Sequence, residues 1–306
     1  MIENHNLINM EKNIFENNIK QDFGLEIKNS EKITKGYSSQ VYKANLDNEE
    51  VFVRINKDPD VFKVEEVVYK IFEKQGIPVP RIISLIEKPK SIGLPTMIMS
   101  GAEGKILKEL DIPQEQKDMV YEELGSILKK INETKVKGFG PLVMNDKEIT
   151  GKFSSWSEYL KSREEHNLKC LNFCLENEFI TKEEFDKLSD VFEDVYSIEF
   201  NESHLLHNDM HHGHFFVEEG KISGIIDLGS LMAGDTRYDI ALALFFQKPE
   251  QQAYFKKGYG ELADDPFVYK YMAVIILQKI FFRSKEDVKG NVSALLPVLE
   301  DVLNKI

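Results

Sequence analysis

The chain has 306 residues, of which 42% are hydrophobic and 30% are charged, as in an ordinary soluble globular enzyme with room for two lobes. Its formal net charge is -13, and no long run of lysine and arginine offsets it. Recognition of a phosphate backbone needs basic patches, so we expect no nucleic-acid partner. An acidic surface is instead compatible with cationic small molecules.

The N-terminus and the apolar runs predict a cytoplasmic protein without a membrane segment. The first residues, MIENHNLINMEKN, lack the basic region and the following apolar region of a secretory signal. The longest apolar runs, such as YMAVIIL at 271–277, are too short to span a bilayer. Cys170 and Cys174 are four residues apart, and a pair of buried thiols is a better interpretation of them than a metal or redox pair.

In chain order, the first elements are a short helix and an antiparallel β meander. We expect the helix over 7–20. Apolar and polar positions then alternate in three pieces over 26–58, with breaks at 36–39 and 47–49. This pattern is typical of three strands joined by turns.

The next helix has clear start and stop signals. Asp58 can cap it, Pro59 suits its first turn, and Gly76 ends it. Two further strands are expected at 81–88 and 95–100, and they complete a small β-rich lobe.

Helical periodicity dominates from residue 113 onward. The exception is 214–228, where two short apolar strands flank a turn at 218–221 and predict a hairpin. Strands followed by helices predict an α+β protein. We expect a bilobal chain with a small β-rich lobe, residues 1–101, and a larger, mainly helical lobe, residues 102–306. The helices expected in the larger lobe cover 116–134, 154–176, 182–198 and segments after 235.

The hairpin brings three chemically active residues toward one another. Its two ends carry His214 and Asp227, which should lie side by side, and Asp209 lies on the loop just before it. Such a group could serve a divalent metal and a general base, since Mg²⁺ prefers one or two carboxylates together with substrate phosphates. The alternative is a zinc hydrolase built on the crowded histidines, but no H-E-x-x-H spacing is present.

Three motifs in this order resemble the aminoglycoside phosphotransferase family, which consists of small-molecule kinases with a protein-kinase-like fold. The first is His207-Asn208-Asp209 followed, after four residues, by His214. The second is Ile225-Ile226-Asp227-Leu228-Gly229. The third is Gly234-Asp235 with Asp239 at a helix start. The resemblance covers roughly residues 25 to 300.

The resemblance implies roles for the residues of the larger lobe. Asp209 would be the catalytic residue that accepts or orients the proton of the attacking hydroxyl. Asp227 and His214 would be the metal ligands, with His214 standing where the family usually has asparagine. His207 would pack and hydrogen-bond within the loop, whereas His211 and His212 would face either substrate or solvent.

The resemblance also implies a nucleotide site in residues 1–101. Arg54 occupies the position of the family's phosphate-binding lysine, with Lys57 as a weaker alternative. Glu65 would pair with this cation, and Glu66 is the second choice. The expected nucleotide-binding residues are Gly36, Ser38, Ser39, Phe52, Arg54, Glu65, Met99, Ser100 and Gly101. Among them, the turn that begins at Gly36 would hold phosphate and the residues from Met99 onward would face the purine.

The resemblance therefore implies a kinase that moves the γ-phosphoryl group of ATP or GTP to a hydroxyl of a small, cationic substrate, with Mg²⁺ as the metal. An aminoglycoside is the first expectation for the acceptor. The alternatives are another small hydroxyl compound (an amino alcohol, a sugar or a macrolide) and a kinase-like nucleotide-binding module without catalytic activity. We expect a monomer.

Overall fold

The computed structural model describes residues 11–33, 39–285 and 292–306, which form two compact units. Each unit draws on more than one stretch of the chain, whereas the sequence predicts lobes divided at residue 101. The functional assignment of those two lobes stays a prediction. Unit 1 contains the described residues up to Glu109 together with Val143–Glu148 and His214–Gly229, and unit 2 contains the described residues of Leu110–Leu142, Ile149–Gly213 and Ser230–Ile306.

The elements of both units are numbered along the chain. The helices are α1 (Lys12–Phe23), α2 (Pro59–Gln75), α3 (Gln114–Asn132), α4 (Trp156–Lys161), α5 (Glu164–Glu176), α6 (Lys182–Ser197), α7 (Thr236–Phe245), α8 (Pro249–Tyr259), α9 (Pro266–Lys285) and α10 (Leu296–Leu303). The strands are β1 (Ile27–Ile33), β2 (Gln40–Leu46), β3 (Glu49–Ile55), β4 (Ile82–Ile86), β5 (Thr96–Ser100), β6 (Lys105–Ile106), β7 (Lys135–Val136), β8 (Phe139–Asn145), β9 (Glu148–Phe153), β10 (Ser203–Leu206), β11 (Phe215–Glu218), β12 (Lys221–Ile225) and β13 (Met232–Gly234).

The main sheet of unit 1 is antiparallel, with the described strands in the order β1-β2-β3-β5-β4. Alternation in β3 turns Val51, Val53 and Ile55 into the core, where Phe15 and Ile19 of α1 join them. The predicted meander and strand pair are thus confirmed. The leading helix runs further than expected, to Phe23, because the left-handed residue that ends it is Gly24.

Both predicted ends of α2 are confirmed. The Asp58 side chain accepts a hydrogen bond from the backbone N–H of Asp60 at 3.0 Å, and Pro59 lies in the first turn. Gly76 ends the helix with a φ of 66°, a conformation that favours glycine. Between these two ends, one face of α2 is buried within unit 1.

The predicted hairpin is β11 and β12. Its turn uses Glu219 and Gly220 with φ values of 49° and 78°, and two successive positive φ values match the twist of antiparallel strands. Phe215 pairs with Ile225 at the open end. A third strand, β6, pairs with β11 and was not predicted from the sequence, because two residues carry no readable period.

Unit 2 contains the expected helices and most of a sheet that the sequence did not predict. Its described strands run in the order β7-β10-β13-β8-β9. The segment 154–176, expected as one helix, is two helices that break at Ser162 and Arg163. Within the described parts of the chain, no helix is both long enough and apolar enough to cross a bilayer.

Candidate active site

Arg54 and Glu65 form the predicted cation–glutamate pair in unit 1. Nη2 of Arg54 donates to Oε1 of Glu65 at 2.9 Å, and Nη1 donates to Oε2, so the pair is bidentate. Burial by itself would lower the pKa of the guanidinium, but the charge of Glu65, its hydrogen bonds and other nearby groups together outweigh burial and raise that pKa. Glu66, the second choice, instead pairs with Lys70 near the surface at 2.8 Å.

The local fold explains why this pair is buried. Arg54 follows Val53 on β3, on the opposite side of the strand, and its guanidinium lies 5.3 Å from the ring centre of Phe62 on α2. Phe62, Glu65 and Tyr69 are spaced three and four residues apart, so they share the buried face of the helix. α2 thereby holds the Glu65 carboxylate against the Arg54 guanidinium in largely apolar surroundings.

Three of the predicted base-contacting residues lie beside Phe52. Phe52 pairs with Met99 across β3 and β5, and a Cβ placed on Gly101 would lie 3.6 Å from Cε2 of Phe52. The N–H groups of Ser100 and Gly101 already donate to the carbonyls of Arg81 and Glu50, at 2.9 Å each. Any hydrogen bond from this strand end to a purine must therefore use other backbone atoms.

The predicted phosphate turn is described only in part. Gly36 and Ser38 lie outside the described residues. Ser39 is buried, and its hydroxyl oxygen accepts a hydrogen bond from the side-chain amide of Asn56 at 3.0 Å. A phosphate role for Ser39 stays a prediction, with the backbone and the hydroxyl hydrogen as its remaining donors.

The hairpin brings His214 and Asp227 together, as predicted. Nε2 of His214 lies 3.5 Å from Oδ2 of Asp227. The N–H of Ile226 donates to the carbonyl of His214 at 3.0 Å, which extends the β11–β12 pairing to the open end of the hairpin. Asp227 has a φ of 63°, rare for a residue with a side chain, and such backbone strain is often found at functional positions.

The chemistry of His214 and Asp227 fits a divalent cation. The Asp227 side chain is 44% exposed, so its carboxylate can reach a solvated ion. Mg²⁺ takes oxygen ligands and keeps several waters, so it needs only one or two protein carboxylates beside the nucleotide phosphates. A neutral imidazole is a competent but less usual ligand for this ion.

The loop that carries Asp209 is fixed within unit 2 by Asp239. This loop, 207–213, begins where β10 ends. The two carboxylate oxygens of Asp239 accept hydrogen bonds from the backbone N–H groups of His207 and Asn208, at 2.8 Å each. Asn132 donates to the same carboxylate at 3.0 Å. Burial raises the pKa of Asp239 to about 6, although these three donors oppose the shift.

Side chains inside the loop complete its shape. His207 is fully buried, and its Nδ1 accepts a hydrogen bond from the N–H of Asp209 at 3.3 Å, in agreement with the expected structural role. Asn208 has a φ of 60°, and its side-chain amide donates to the carbonyl of Ser230 at 2.9 Å. Asp209 itself is half-buried. The loop is therefore constrained on both sides of the predicted catalytic residue.

Among the described residues, the remaining histidines of the loop pack against aromatic rings and belong to no metal-ligand group. Nδ1 of His211 accepts from the N–H of Gly213 at 3.0 Å, and the His211 ring packs edge-on against Phe246. His212 packs against Tyr121. Across the described ranges, no group with metal-ligand spacing includes His207, His211 or His212. The arrangement does not support the metallohydrolase alternative.

Sequence reasoning missed the supports of this loop. Asn132 also donates to the carbonyl of Leu205 at 2.9 Å, and the hydroxyl of Tyr259 donates to Oδ1 of Asn132 at 3.0 Å. The sequence signals here are Asp239, in a helix-start motif, and Tyr259, in a Gly258-Tyr259-Gly260 segment that also resembles the family. No local pattern connects Asn132 or Tyr259 to a loop about 50 to 75 residues away along the chain.

A family model described as "Phosphotransferase enzyme family" (APH) matches residues 30–272, which is most of the chain. The chain belongs to the phosphotransferase enzyme family. The match spans the Arg54–Glu65 pair, the Asp209 loop and the Asp227 hairpin. It agrees with the resemblance inferred from the sequence motifs.

Two proteins similar to this chain have names or bound ligands that involve hygromycin B. Hygromycin-B 4-O-kinase of Escherichia coli is 23% identical over 260 residues, which are 81% of this chain and 73% of that protein. A thermostable mutant of aminoglycoside phosphotransferase APH(4)-Ia, solved with ADP and hygromycin B, superposes with a TM-score of 0.72. It is 20% identical and covers 95% of this chain and 98% of its own.

Another solved structure shares the fold. The GDP and kanamycin complex of APH(2")-IIia is 15% identical, covers 94% of this chain and 97% of its own, and has a TM-score of 0.67. These likenesses confirm the predicted α+β, protein-kinase-like fold. Because the nucleotide is ADP in one relative and GDP in the other, fold alone does not select the donor.

Proposed function

We propose that this phosphotransferase moves the γ-phosphoryl group of ATP or GTP to a hydroxyl of an aminoglycoside. The observation that carries the proposal lies in unit 1, where the buried Arg54–Glu65 pair is close enough to Asp227 for the Asp227 charge to raise the pKa of Arg54. A phosphate-binding cation and a metal-binding carboxylate are thus neighbours. This is the pairing that phosphoryl transfer needs, because catalysis there is mostly positioning and charge neutralisation.

Arg54 has the donors to hold a nucleotide phosphate. A guanidinium has five N–H groups, and Glu65 uses one on each terminal nitrogen. The remaining donors can meet phosphate oxygens while Glu65 fixes the plane of the group. Arginine is longer than the family's lysine and binds phosphate in a forked way, so the two are not interchangeable.

Asp227 and His214 would hold Mg²⁺, whose charge would offset that of the nucleotide phosphates. Asp209 would accept a hydrogen bond from the acceptor hydroxyl and take its proton as the new oxygen–phosphorus bond forms. The bond between the γ-phosphorus and the bridging oxygen breaks, and ADP or GDP leaves with that electron pair. The rigid loop around Asp209 supports this role, since a positioned carboxylate loses little freedom when the acceptor binds.

The acceptor is inferred from relatives that bind hygromycin B and kanamycin. The net charge of -13 is compatible with polycationic acceptors. The expectations of a monomer and of a cytoplasmic location stay predictions.

The direct test uses γ-labelled ATP and GTP with hygromycin B, kanamycin, an amino alcohol and a neutral sugar. We expect labelled hygromycin B or kanamycin only when Mg²⁺ is present. Label on the amino alcohol or sugar alone would replace the aminoglycoside as substrate. Nucleotide binding without transfer to any acceptor would favour the non-catalytic module.

A further inference from the structure

Lys279 is a charged group beside the Asp209 loop that the proposed mechanism leaves without a role. It lies on α9, within unit 2, and is half-buried. Burial lowers the pKa of its ammonium, the charge of Asp209 opposes this shift, and the charge of Arg283 adds to it. The Lys279 ammonium therefore interacts electrostatically with the carboxylate of Asp209, the predicted catalytic residue.

Lys279 differs from the other well-covered lysines of unit 2. Lys256 and Lys270 have side chains 18% and 24% exposed, and they form ion pairs with Asp264 and Asp194. Among the described residues, no carboxylate lies within 4.0 Å of Nζ of Lys279. A covered charge without an acidic partner is costly, and a polar group of a bound ligand can offset that cost.

An aromatic ring connects Lys279 to the loop. Its Nζ lies 5.6 Å from the ring centre of Phe246, at the end of α7. The Phe246 ring also contacts His211. Their ring centres are 4.9 Å apart, and the angle between the ring planes is 88°. The N–H of His211 donates to the carbonyl of Asp209 at 2.8 Å. Asp209, His211, Phe246 and Lys279 thus form one continuous wall inside unit 2.

We propose that Lys279 is an acceptor-binding residue that donates a hydrogen bond to the oxygen of the hydroxyl that becomes phosphorylated. This inference rests on the proposed function and adds the acceptor side of the same site. The charges of Lys279 and Asp209 attract each other, and in the proposed complex the reactive oxygen of the acceptor lies between the two side chains. That oxygen would donate its proton to Asp209 and accept a hydrogen bond from Lys279.

The same arrangement determines which part of an aminoglycoside can lie here. The charge of Arg283, one turn beyond Lys279 on α9, lowers the pKa of the Lys279 ammonium. A protonated amine next to the reactive hydroxyl would be repelled by Lys279. The proposal therefore assigns to this wall a sugar face bearing hydroxyls, with the ammonium groups of the acceptor directed elsewhere, and with Phe246 under the ring.

The test compares Lys279→Met, which removes the charge at similar length, with Lys279→Arg, which keeps it. Lys270→Met is the matched control, because Lys270 is on the same helix and also lies over an aromatic ring, that of Phe267, at 5.2 Å. Binding of hygromycin B and kanamycin is measured by calorimetry, and binding of Mg²⁺-nucleotide is measured in parallel. Thermal unfolding confirms that each variant is folded.

We expect Lys279→Met to weaken acceptor binding roughly tenfold or more, since a hydrogen bond to a charged donor is lost. Nucleotide binding should stay within about twofold, Lys279→Arg should recover part of the loss, and Lys270→Met should resemble wild type. For an acceptor analogue that lacks the phosphorylated hydroxyl, wild type and Lys279→Met should bind within about twofold of each other.

Three outcomes would overturn the assignment. Equal acceptor binding by wild type and Lys279→Met would remove Lys279 from the site. A loss confined to nucleotide binding would make it a donor-side cation. An equal loss with the deoxygenated analogue would place its contact away from the reactive hydroxyl. If wild type neither binds nor phosphorylates any aminoglycoside, the proposed function itself fails, and this assignment fails with it.

Discussion

Arg54 and Glu65 are joined at two points inside unit 1, with side chains only 10% and 1% exposed. Breaking a buried pair is costly because the remaining charge has no partner. We predict that Arg54→Met lowers the free energy of unfolding by about 3–5 kcal/mol, measured by urea denaturation.

The control for this prediction removes both charges. Arg54→Met/Glu65→Leu should recover most of the lost stability, because an apolar pair of similar volume carries no desolvation cost. Lys70→Met, which breaks the exposed pair with Glu66, should change the free energy of unfolding by less than about 1 kcal/mol. Equal stability of Arg54→Met and the double variant would contradict the account.

Asp239 predicts a pH dependence of activity. Its carboxyl group must be ionised for both oxygens to accept the hydrogen bonds from His207 and Asn208. Burial raises the pKa of this group to about 6. Activity should therefore fall as the pH is lowered through about 6, because the Asp209 loop loses one acceptor. The pH profile of kcat/KM measures this directly.

The contribution of Asp239 to the free energy of unfolding changes with pH in the opposite direction from its effect on activity. The folded protein holds this proton more tightly than the unfolded chain, whose carboxyl has the ordinary pKa of 3.8. The free energy of unfolding contributed by Asp239 thus falls as the pH rises from about 4 to about 6. In Asp239→Asn, the activity step near pH 6 should disappear and kcat should be low throughout. An unchanged step in that variant would assign it to another group.

The sequence predicted those features whose signals are local. Asp58 and Gly76 defined α2 because a cap and a left-handed glycine act on the adjacent turn alone. The pairing of Glu65 with Arg54 came from the family resemblance rather than from a local signal, and the structure shows the pair buried. The β11–β12 hairpin followed from alternation around Glu219 and Gly220, and its register placed His214 beside Asp227.

Features that depend on distant contacts were not predictable. β7 and β13 have two and three residues, too few for a period, and they are strands because they pair with distant segments: both with β10, and β13 also with β8. Lys279 is 70 residues beyond Asp209 in an evenly apolar helix, so no spacing rule connects the two. The proximity of Lys279 to the Asp209 loop follows only from the packing of α9 in the folded protein.

The presence of His214 predicts a metal site that tolerates replacement of this ligand by asparagine. Because an amide oxygen is also a ligand for Mg²⁺, His214→Asn should keep at least a tenth or so of wild-type activity, whereas His214→Ala should need several-fold more Mg²⁺ for half-maximal rate. The measurement is a Mg²⁺ titration of initial rate. Identical Mg²⁺ requirements in wild type and His214→Ala would show that His214 is not a ligand.

Asp227 predicts a defect that depends on the metal. Asp227→Asn should weaken binding of Mg²⁺-nucleotide by roughly tenfold or more, since a charged ligand is lost, while nucleotide without Mg²⁺ should bind as to wild type. Glu218→Gln, on the same hairpin but exposed, is the control and should change neither value. Calorimetry with and without Mg²⁺ separates the two. A loss of equal size in both conditions would point to misfolding of the hairpin.

The central claim is that Asp209 activates an acceptor hydroxyl for phosphoryl transfer. The most direct measurement is Mg²⁺-dependent release of ADP or GDP by wild type and Asp209→Asn, with and without hygromycin B or kanamycin. We predict release that requires an acceptor in wild type and falls by about two to four orders of magnitude in Asp209→Asn, with nucleotide affinity nearly unchanged. Acceptor-dependent release that persists in Asp209→Asn at the wild-type rate would contradict the account.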